Sequence, residues 1–196
     1  VTATTVITIT GSQAQLTAAL VTDATKVIAG AAVIGTITDA GGQTLTAAAL
    51  SAIGAKTSGV VTVSEAVVIT GTQAEVTAAL VTTDSLVVAA TAVGTISDDA
   101  GTEIAATALS AIGAKTSGIV TVSEAIALSG TNTELTAALV TTDDLVVAGT
   151  AVVTITDNAS TEIEATVLSA IGGKTSGAVT AENALVINGT AAEATA

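Results

Sequence analysis

Ser51-Ala52-Ile53-Gly54-Ala55-Lys56-Thr57-Ser58-Gly59 returns as Ser110 to Gly118, and again as Ser169 to Gly177 with Gly173 in place of Ala. A motif that recurs at so regular an interval marks a repeat array, in which each piece buries its apolar face against its neighbours instead of closing a core alone. Such repetition builds a surface or a rod more readily than a single active site.

Each period divides into two related halves. The first runs Val60 to Val63, Ser64-Glu65, Ala66 to Thr70 and then Gly71 to Leu80. The second runs Leu86 to Ala89, Ala92 to Ser97, Asp98 to Gly101 and then Thr102 to Leu109. Both read strand, turn, strand, short helix. An apolar anchor precedes each turn at Ile9, Ile37, Ile69, Ile96, Leu128, Ile155 and Ile187. The anchor spacings alternate between about 27 and about 32 residues, both within the range of stacked structural repeats. Stacked in register, these anchors predict continuous internal columns, with Ile69, Ile96 and Leu128 in adjoining layers. The first period carries one extra residue around Asp23 to Lys26, where a loop would absorb it.

Helix starts are signalled by four capping boxes, Ser12/Gln15, Thr72/Glu75, Thr131/Glu134 and Thr190/Glu193, whose side chains satisfy first-turn N–H groups reciprocally. Leu16/Ala19/Leu20, Val76/Ala79/Leu80 and Leu135/Ala138/Leu139 then form an i, i+3, i+4 stripe. In the other half, Leu45/Ala49/Leu50/Ile53, Ile104/Ala108/Leu109/Ile112 and Ile163/Val167/Leu168/Ile171 do the same. Gly54, Gly113 and Gly172 sit where a left-handed residue would end each helix. Val60 to Val63, Ile119 to Val122 and Leu145 to Val147 are β-branched runs bounded by turn formers, as short buried strands are.

The predicted fold is a parallel β-solenoid with short flanking helices (an α/β solenoid), built on a 59-residue double-coil repeat. It forms a single repeat array over 1–196, with approximate coils 1–28, 29–59, 60–86, 87–118, 119–145, 146–177 and a partial 178–196. The terminal runs read as the edges of a segment from a longer array. A leucine-rich horseshoe is disfavoured, because nothing matches L-x-x-L-x-L-x-x-N.

Composition agrees with a thin, regular interior. Apolar residues make up 49% of the chain, yet there is no Phe, Trp, Tyr, Met, Cys, His or Pro; stacked Val, Ile, Leu and Ala fill a narrow core, whereas wide ones need larger side chains. The net charge of −13 repels phosphate backbones and anionic lipid, so nucleic acid is a poor partner. Apolar residues are broken up by Thr, Ser and Gly, which argues against membrane insertion.

Catalytic chemistry finds little to work with. No His exists, and a Ser–Lys dyad in Lys56-Thr57-Ser58, Lys115-Thr116-Ser117 or Lys174-Thr175-Ser176 occurs three times where catalysis needs one site. Gly54-Ala55-Lys56-Thr57 resembles a P-loop tail without its upstream glycine. The reading is therefore no enzyme and no cofactor. Acidic turns supply oxygen ligands of the kind Ca²⁺ accepts, which makes Asp98, Asp99, Asp143, Asp144 and Asp157 weak Ca²⁺ candidates, with solvated turns and helix starts as the better account. Thr36/Thr38, Thr62/Ser64, Thr95/Ser97, Thr121/Ser123 and Thr154/Thr156 could order water on a flat face, but in this register they alternate between strands and leave no unbroken ladder. Asn158-Ala159-Ser160 and Asn188-Gly189-Thr190 match the N-glycosylation sequon.

Ile69 to Leu80, with its siblings at Leu128 to Leu139 and Ile187 to Ala194, resembles the Ala/Thr/Val-rich repeat arrays of giant secreted cell-surface proteins of bacteria, marine cyanobacteria among them. That resemblance implies an extracellular or cell-surface location and a scaffold, matrix or adhesive role. The leading functional expectation is a structural repeat scaffold that self-associates through open solenoid ends into fibres. The alternatives are a Ca²⁺-binding or glycan-binding adhesin module and an ice-binding solenoid.

Overall fold

A computed structural model describes residues 7–22, 33–57, 59–82, 86–141 and 146–194, which form parallel β-sheets alternating with helices and no closed barrel. The extra residue expected around Asp23 to Lys26 lies outside the described residues. The chain divides into two compact units, one of Val1–Ile96 with Lys115–Ile119, the other of Ser97–Ala114 with Val120–Ala196.

The first unit contains β1 (Ile7–Gly11), α1 (Gln13–Leu16) continuing as a π-helical segment (Thr17–Thr22), β2 (Val33–Ile37), β3 (Thr44–Thr46), α2 (Ala47–Gly54), β4 (Val61–Val63), β5 (Val68–Gly71), α3 (Gln73–Leu80), β6 (Val87–Val88) and β7 (Val93–Ile96). Its parallel ladders run β1-β2-β4-β6 and β3-β5-β7. Ile7 lies opposite Val33, Gly35 opposite Val61 and Val61 opposite Val87, an equal step each time. In the other ladder Thr44 faces Val68 and Val68 faces Val93, a slightly shorter step.

The second unit contains β8 (Glu103–Ala105), α4 (Ala106–Gly113), β9 (Val120–Val122), β10 (Ala127–Gly130), α5 (Asn132–Leu139), β11 (Val146–Val147), β12 (Val152–Ile155), β13 (Glu162–Glu164), α6 (Ala165–Gly172), β14 (Val179–Ala181), β15 (Val186–Asn188) and α7 (Ala191–Ala194). Here the ladders are β8-β10-β12-β14, β9-β11 and β13-β15. Glu103 lies opposite Ala127 and Val153 opposite Val179. In both units paired strands therefore lie about 25 residues apart in sequence.

This register corrects the expected columns. Ile69 pairs with Gly94 and Ile96 with Gly71, while Leu128 sits between Ile104 and Val153. The reason is a strand beyond the two expected, present in the longer halves of the second and third periods as β8 and β13. Leu45, Ile104 and Ile163, expected at the head of a helical stripe, lie on β3, β8 and β13, where they are buried between two exposed neighbours. As ladder strands, these segments give their backbone N–H groups partners that the first turn of a helix would lack. Two ladder steps fall short of a full sequence period by about seven residues, and this strand takes them up.

The four capping boxes form as expected. Ser12, Thr72 and Thr131 each accept from the N3 amide while Gln15, Glu75 and Glu134 reach back to the cap, and Glu193 does so for Thr190. The expected left-handed glycines do not. Gly54, Gly113 and Gly172 are the last helical residues, and the caps after them are right-handed. The first of these helices ends through tight three-residue bonds, from the amides of Lys56 to Ile53 and Thr57 to Gly54, and the third does the same from Lys174 to Ile171, so no positive φ is needed.

Packing is confined to branched aliphatics. The largest fully buried side chains are all Leu or Ile, such as Leu50, Ile53 and Ile69 in the first unit and Leu109, Ile112 and Leu128 in the second. Burying each contributes about 1.5–3 kcal/mol. Helices cover one side of the ladders, α2 against α3 in the first unit and α4, α5, α6 and α7 in succession in the second.

Candidate functional site

The thrice-repeated nonapeptide carries polar side chains to the ends of three helices. It places a threonine hydroxyl and a glycine after α2, α4 and α6, with a serine hydroxyl between them after α4 and α6. Thr57 and Thr116 are each 8% exposed, which makes them two of the few buried polar side chains among the described residues. Thr116 Oγ1 donates to the Ala92 carbonyl and accepts from the Gly118 amide at 3.1 Å. Thr175 repeats this arrangement with Ala151 and with Gly177 at 3.0 Å. In the first copy the hydroxyl stays local, 3.2 Å from the Gly54 carbonyl and 2.9 Å from that of Gly59.

Ser117 and Ser176 add main-chain and hydroxyl bonds to a single carbonyl each, those of Ala90 and Gly149, 27 residues earlier. The glycines close the contact. A Cβ at Gly59, Gly118 or Gly177 would stand 2.6, 2.2 or 2.1 Å from the carbonyl oxygen of Val33, Ala92 or Ala151. Only a residue without a side chain lets the two backbones approach this far.

The three lysines beside these residues, Lys56, Lys115 and Lys174, are exposed. The Ser117 and Ser176 hydroxyls donate to backbone carbonyls instead of facing an amine. The second and third copies thus fasten the segment that follows a helix to backbone 24 to 27 residues upstream. Periodicity alone did not show this, although a Thr-x-Gly pair after each of these helices was its visible trace.

The acidic residues divide into two groups. Asp157, only 8% exposed, caps α5 from a neighbouring loop: its carboxylate accepts from the Asn132 amide at 2.6 Å and from the Asn132 side chain at 2.8 Å. Asp39 accepts from the Gln13 amide at 2.6 Å in the same manner at α1. These caps are contributed across the ladder, from 25 and 26 residues away in sequence, and are additional to each helix's own capping box. Negative charge at that position also complements the helix dipole. Asp98 and Asp99 lie in the turn after β7, where the Asp99 carbonyl accepts from Thr102. Asp143 and Asp144 lie outside the described residues. Among the described residues no three His, Cys, Asp or Glu side chains converge as metal ligands.

Glu193 closes the last capping box, accepting from the Thr190 amide at 2.7 Å and its hydroxyl at 2.9 Å. These bonds hold its carboxyl below its ordinary value, the backbone N–H contributing most.

On the outward faces threonines align over three strands at a time, but the rank does not run the whole ladder, since Val88 of β6 lies opposite Thr62. Thr10 lies opposite Thr36 and Thr36 opposite Thr62 along β1, β2 and β4. Thr46, Thr70 and Thr95 do the same along β3, β5 and β7. The near-constant ladder step brings threonines of different halves into one rank, where the alternating anchor spacing would have separated them.

Two hollows open in the second unit. One, of about 320 Å³, is lined by Ile155, Leu168, Val179, Thr180, Leu185 and Ile187 among others. The other, of about 340 Å³, lies between α4 and α5 among small side chains such as Ser110, Ala111 and Ala137. Neither gathers charged groups of both signs. Among the described residues no helix is long and apolar enough to cross a membrane. Comparison with known protein families, with curated proteins and with solved structures returns no match.

Proposed function

We propose that this chain is a structural repeat scaffold, a parallel β-solenoid array of an extracellular or cell-surface protein that performs no catalysis. One observation carries the reading: the side chains best suited to chemistry are spent on the chain's own backbone, several of them across the ladder. Thr116 and Thr175 hold upstream carbonyls, Asp39 and Asp157 cap helices 25 to 26 residues away, and Glu75, Glu134 and Glu193 cap their own helices. The bonds from Thr116, Thr175, Asp39 and Asp157, which span 24 to 26 residues, make each segment depend on its neighbour, as in quasi-one-dimensional repeat proteins.

Excision of one period tests it. Removing residues 60–118 joins Gly59 to Ile119, two positions that are successive in every repeat. A scaffold predicts that the shortened chain keeps parallel β and helical circular dichroism and unfolds cooperatively at a lower temperature. A shortened chain that is unfolded contradicts the reading.

A second reading has its own support in the three-strand threonine ranks Thr10-Thr36-Thr62 and Thr46-Thr70-Thr95. Rows of hydroxyls at strand spacing, beside β-branched methyls, suit an ordered water or ice surface. Thermal hysteresis and ice-crystal faceting that disappear in a Thr36→Lys variant would establish it; freezing without either effect removes it.

A further inference from the structure

We propose that Asn158 is the acceptor of an N-linked glycan, carried on an exposed turn of the third period. The inference rests on the extracellular part of the reading above and adds a covalent modification to it.

This turn recurs once per period, and its third copy departs from the other two. Gln43, Thr102 and Thr161 each donate a backbone N–H to the carbonyl three residues earlier, those of Ala40, Asp99 and Asn158, at 3.1, 3.0 and 3.1 Å. The residue just before each donor has a positive φ and bonds through its own N–H to the carbonyl of Ala66, Ala125 or Ala184. In the first two copies that residue is glycine, Gly42 at +79° and Gly101 at +80°, and in the third it is Ser160 at +66°. A residue with a Cβ is strained in this left-handed region, where glycine is not. The fold gains nothing in exchange. Ser160 makes the same backbone bond as its glycine counterparts, and its hydroxyl has no hydrogen-bond partner among the described residues.

The same departure completes a sequon. Asn158 stands where the second period has Asp99, and with Ser160 two positions on it gives Asn158-Ala159-Ser160. All three residues are exposed, and a surface turn is the setting in which this motif can carry a bulky glycan. The Asn158 side chain is idle as well. Of the four asparagines, Asn132 and Asn183 bond to Asp157 and Asn188 bonds to Glu162, whereas the Asn158 amide has no partner among the described residues. Strain retained at a turn whose two polar side chains hold nothing in place points to a use outside the fold. An asparagine amide with a hydroxyl two residues on is the pair that glycan transfer to nitrogen reads.

The turn can bear the load. Asp157, one residue earlier, is 8% exposed and fastened to Asn132, so a glycan on Asn158 projects from a fixed base and displaces no native bond. The other sequon, Asn188-Gly189-Thr190, differs: the Asn188 amide donates to Glu162 at 3.2 Å and the Thr190 hydroxyl to Glu193 at 2.9 Å. In the transfer, the Asn158 side-chain nitrogen bonds to the anomeric carbon of a polyprenyl-diphosphate-linked oligosaccharide. The bond from that carbon to the diphosphate oxygen breaks, polyprenyl diphosphate leaves with the electron pair, and the nitrogen gives up one proton.

Incubating the folded chain with a single-subunit oligosaccharyltransferase that accepts Asn-x-Ser/Thr and with this lipid-linked donor, then mapping peptides by mass spectrometry, tests the site. Asn158 should be occupied faster than Asn188, with circular dichroism unchanged. Ser160→Gly should abolish modification at Asn158 and raise Tm by about 1–4 °C as the strain is released. A folded chain in which Asn158 stays unmodified, or fills no faster than Asn188, overturns the proposal. So does a Ser160→Gly protein no more stable than its parent. Each of these results leaves the scaffold reading standing, which a chain without β and helical circular dichroism would overturn instead.

Discussion

Replacing Gly118 by alanine separates two opposing effects cleanly. Gly118 has no positive φ, so on general grounds the change should stabilise by about 0.4–1 kcal/mol through loss of unfolded-chain freedom. In this structure the new Cβ would stand 2.2 Å from the Ala92 carbonyl oxygen and 2.8 Å from its carbon. Relief requires a backbone shift of about 1 Å, enough to take the neighbouring bonds out of range. Those bonds are Gly94 N–H to Ile119 at 2.9 Å and Ser117 N–H to Ala90 at 2.8 Å. Losing them costs about 1 kcal/mol each, and overpacking against rigid backbone adds about 1–3 kcal/mol. The clash wins, with a net destabilisation of about 3 kcal/mol or a fall in Tm of about 6–12 °C. Gly149, where a Cβ meets nothing within 4 Å, is the matched control, and Gly149→Ala should be stabilising by about 0.4–1 kcal/mol. Thermal and urea unfolding followed by circular dichroism would measure both. A Gly118→Ala protein as stable as its parent would refute the close backbone approach.

Thr116→Val removes the hydroxyl that joins Ala92 to Gly118 and should cost about 1–3 kcal/mol in urea unfolding, whereas Thr62→Val on the outward rank should change stability by less than about 0.5 kcal/mol. Asp157→Ala removes the second cap of α5 while leaving its Thr131/Glu134 box in place and should destabilise by about 0.5–2 kcal/mol, with amide exchange accelerating first at Asn132. Leu128→Ala, at 0% exposure, should cost about 2–5 kcal/mol. Glu193 titrates below its ordinary value because Thr190 bonds its carboxylate. Its stabilisation of α7 is therefore present above the unfolded-state value and lost as pH falls through the folded one, and an NMR titration of Thr190→Ala should show the midpoint moving up.

Much of the local structure was legible because it depends on neighbours in sequence. The capping boxes at Ser12, Thr72, Thr131 and Thr190 needed only a three-residue spacing. The aliphatic interior followed from the absence of aromatics. The ladder step was hidden, because the interval from Ser51 to Ser110 is not a multiple of the step that pairs Ile7 with Val33 or Glu103 with Ala127. Glu103-Ile104-Ala105 illustrates the difficulty: its apolar residue fits a helical stripe and a strand equally well, and the choice is made by pairing with β10. The caps from Asp39 and Asp157 were equally unreadable, since their partners lie 25 to 26 residues away. Acidic turns suggest cation ligands when the helix ends they serve are out of sight.

Through-hydrogen-bond NMR couplings test the pairing distance most directly. The account predicts couplings from the Ser64 amide to the Ile37 carbonyl, from Thr38 to Gly11 and from Val93 to Val67, each partner one ladder step away. A coupling from the Val93 amide to the Val61 carbonyl, as the longer anchor spacing would require, or couplings to antiparallel neighbours, would contradict it.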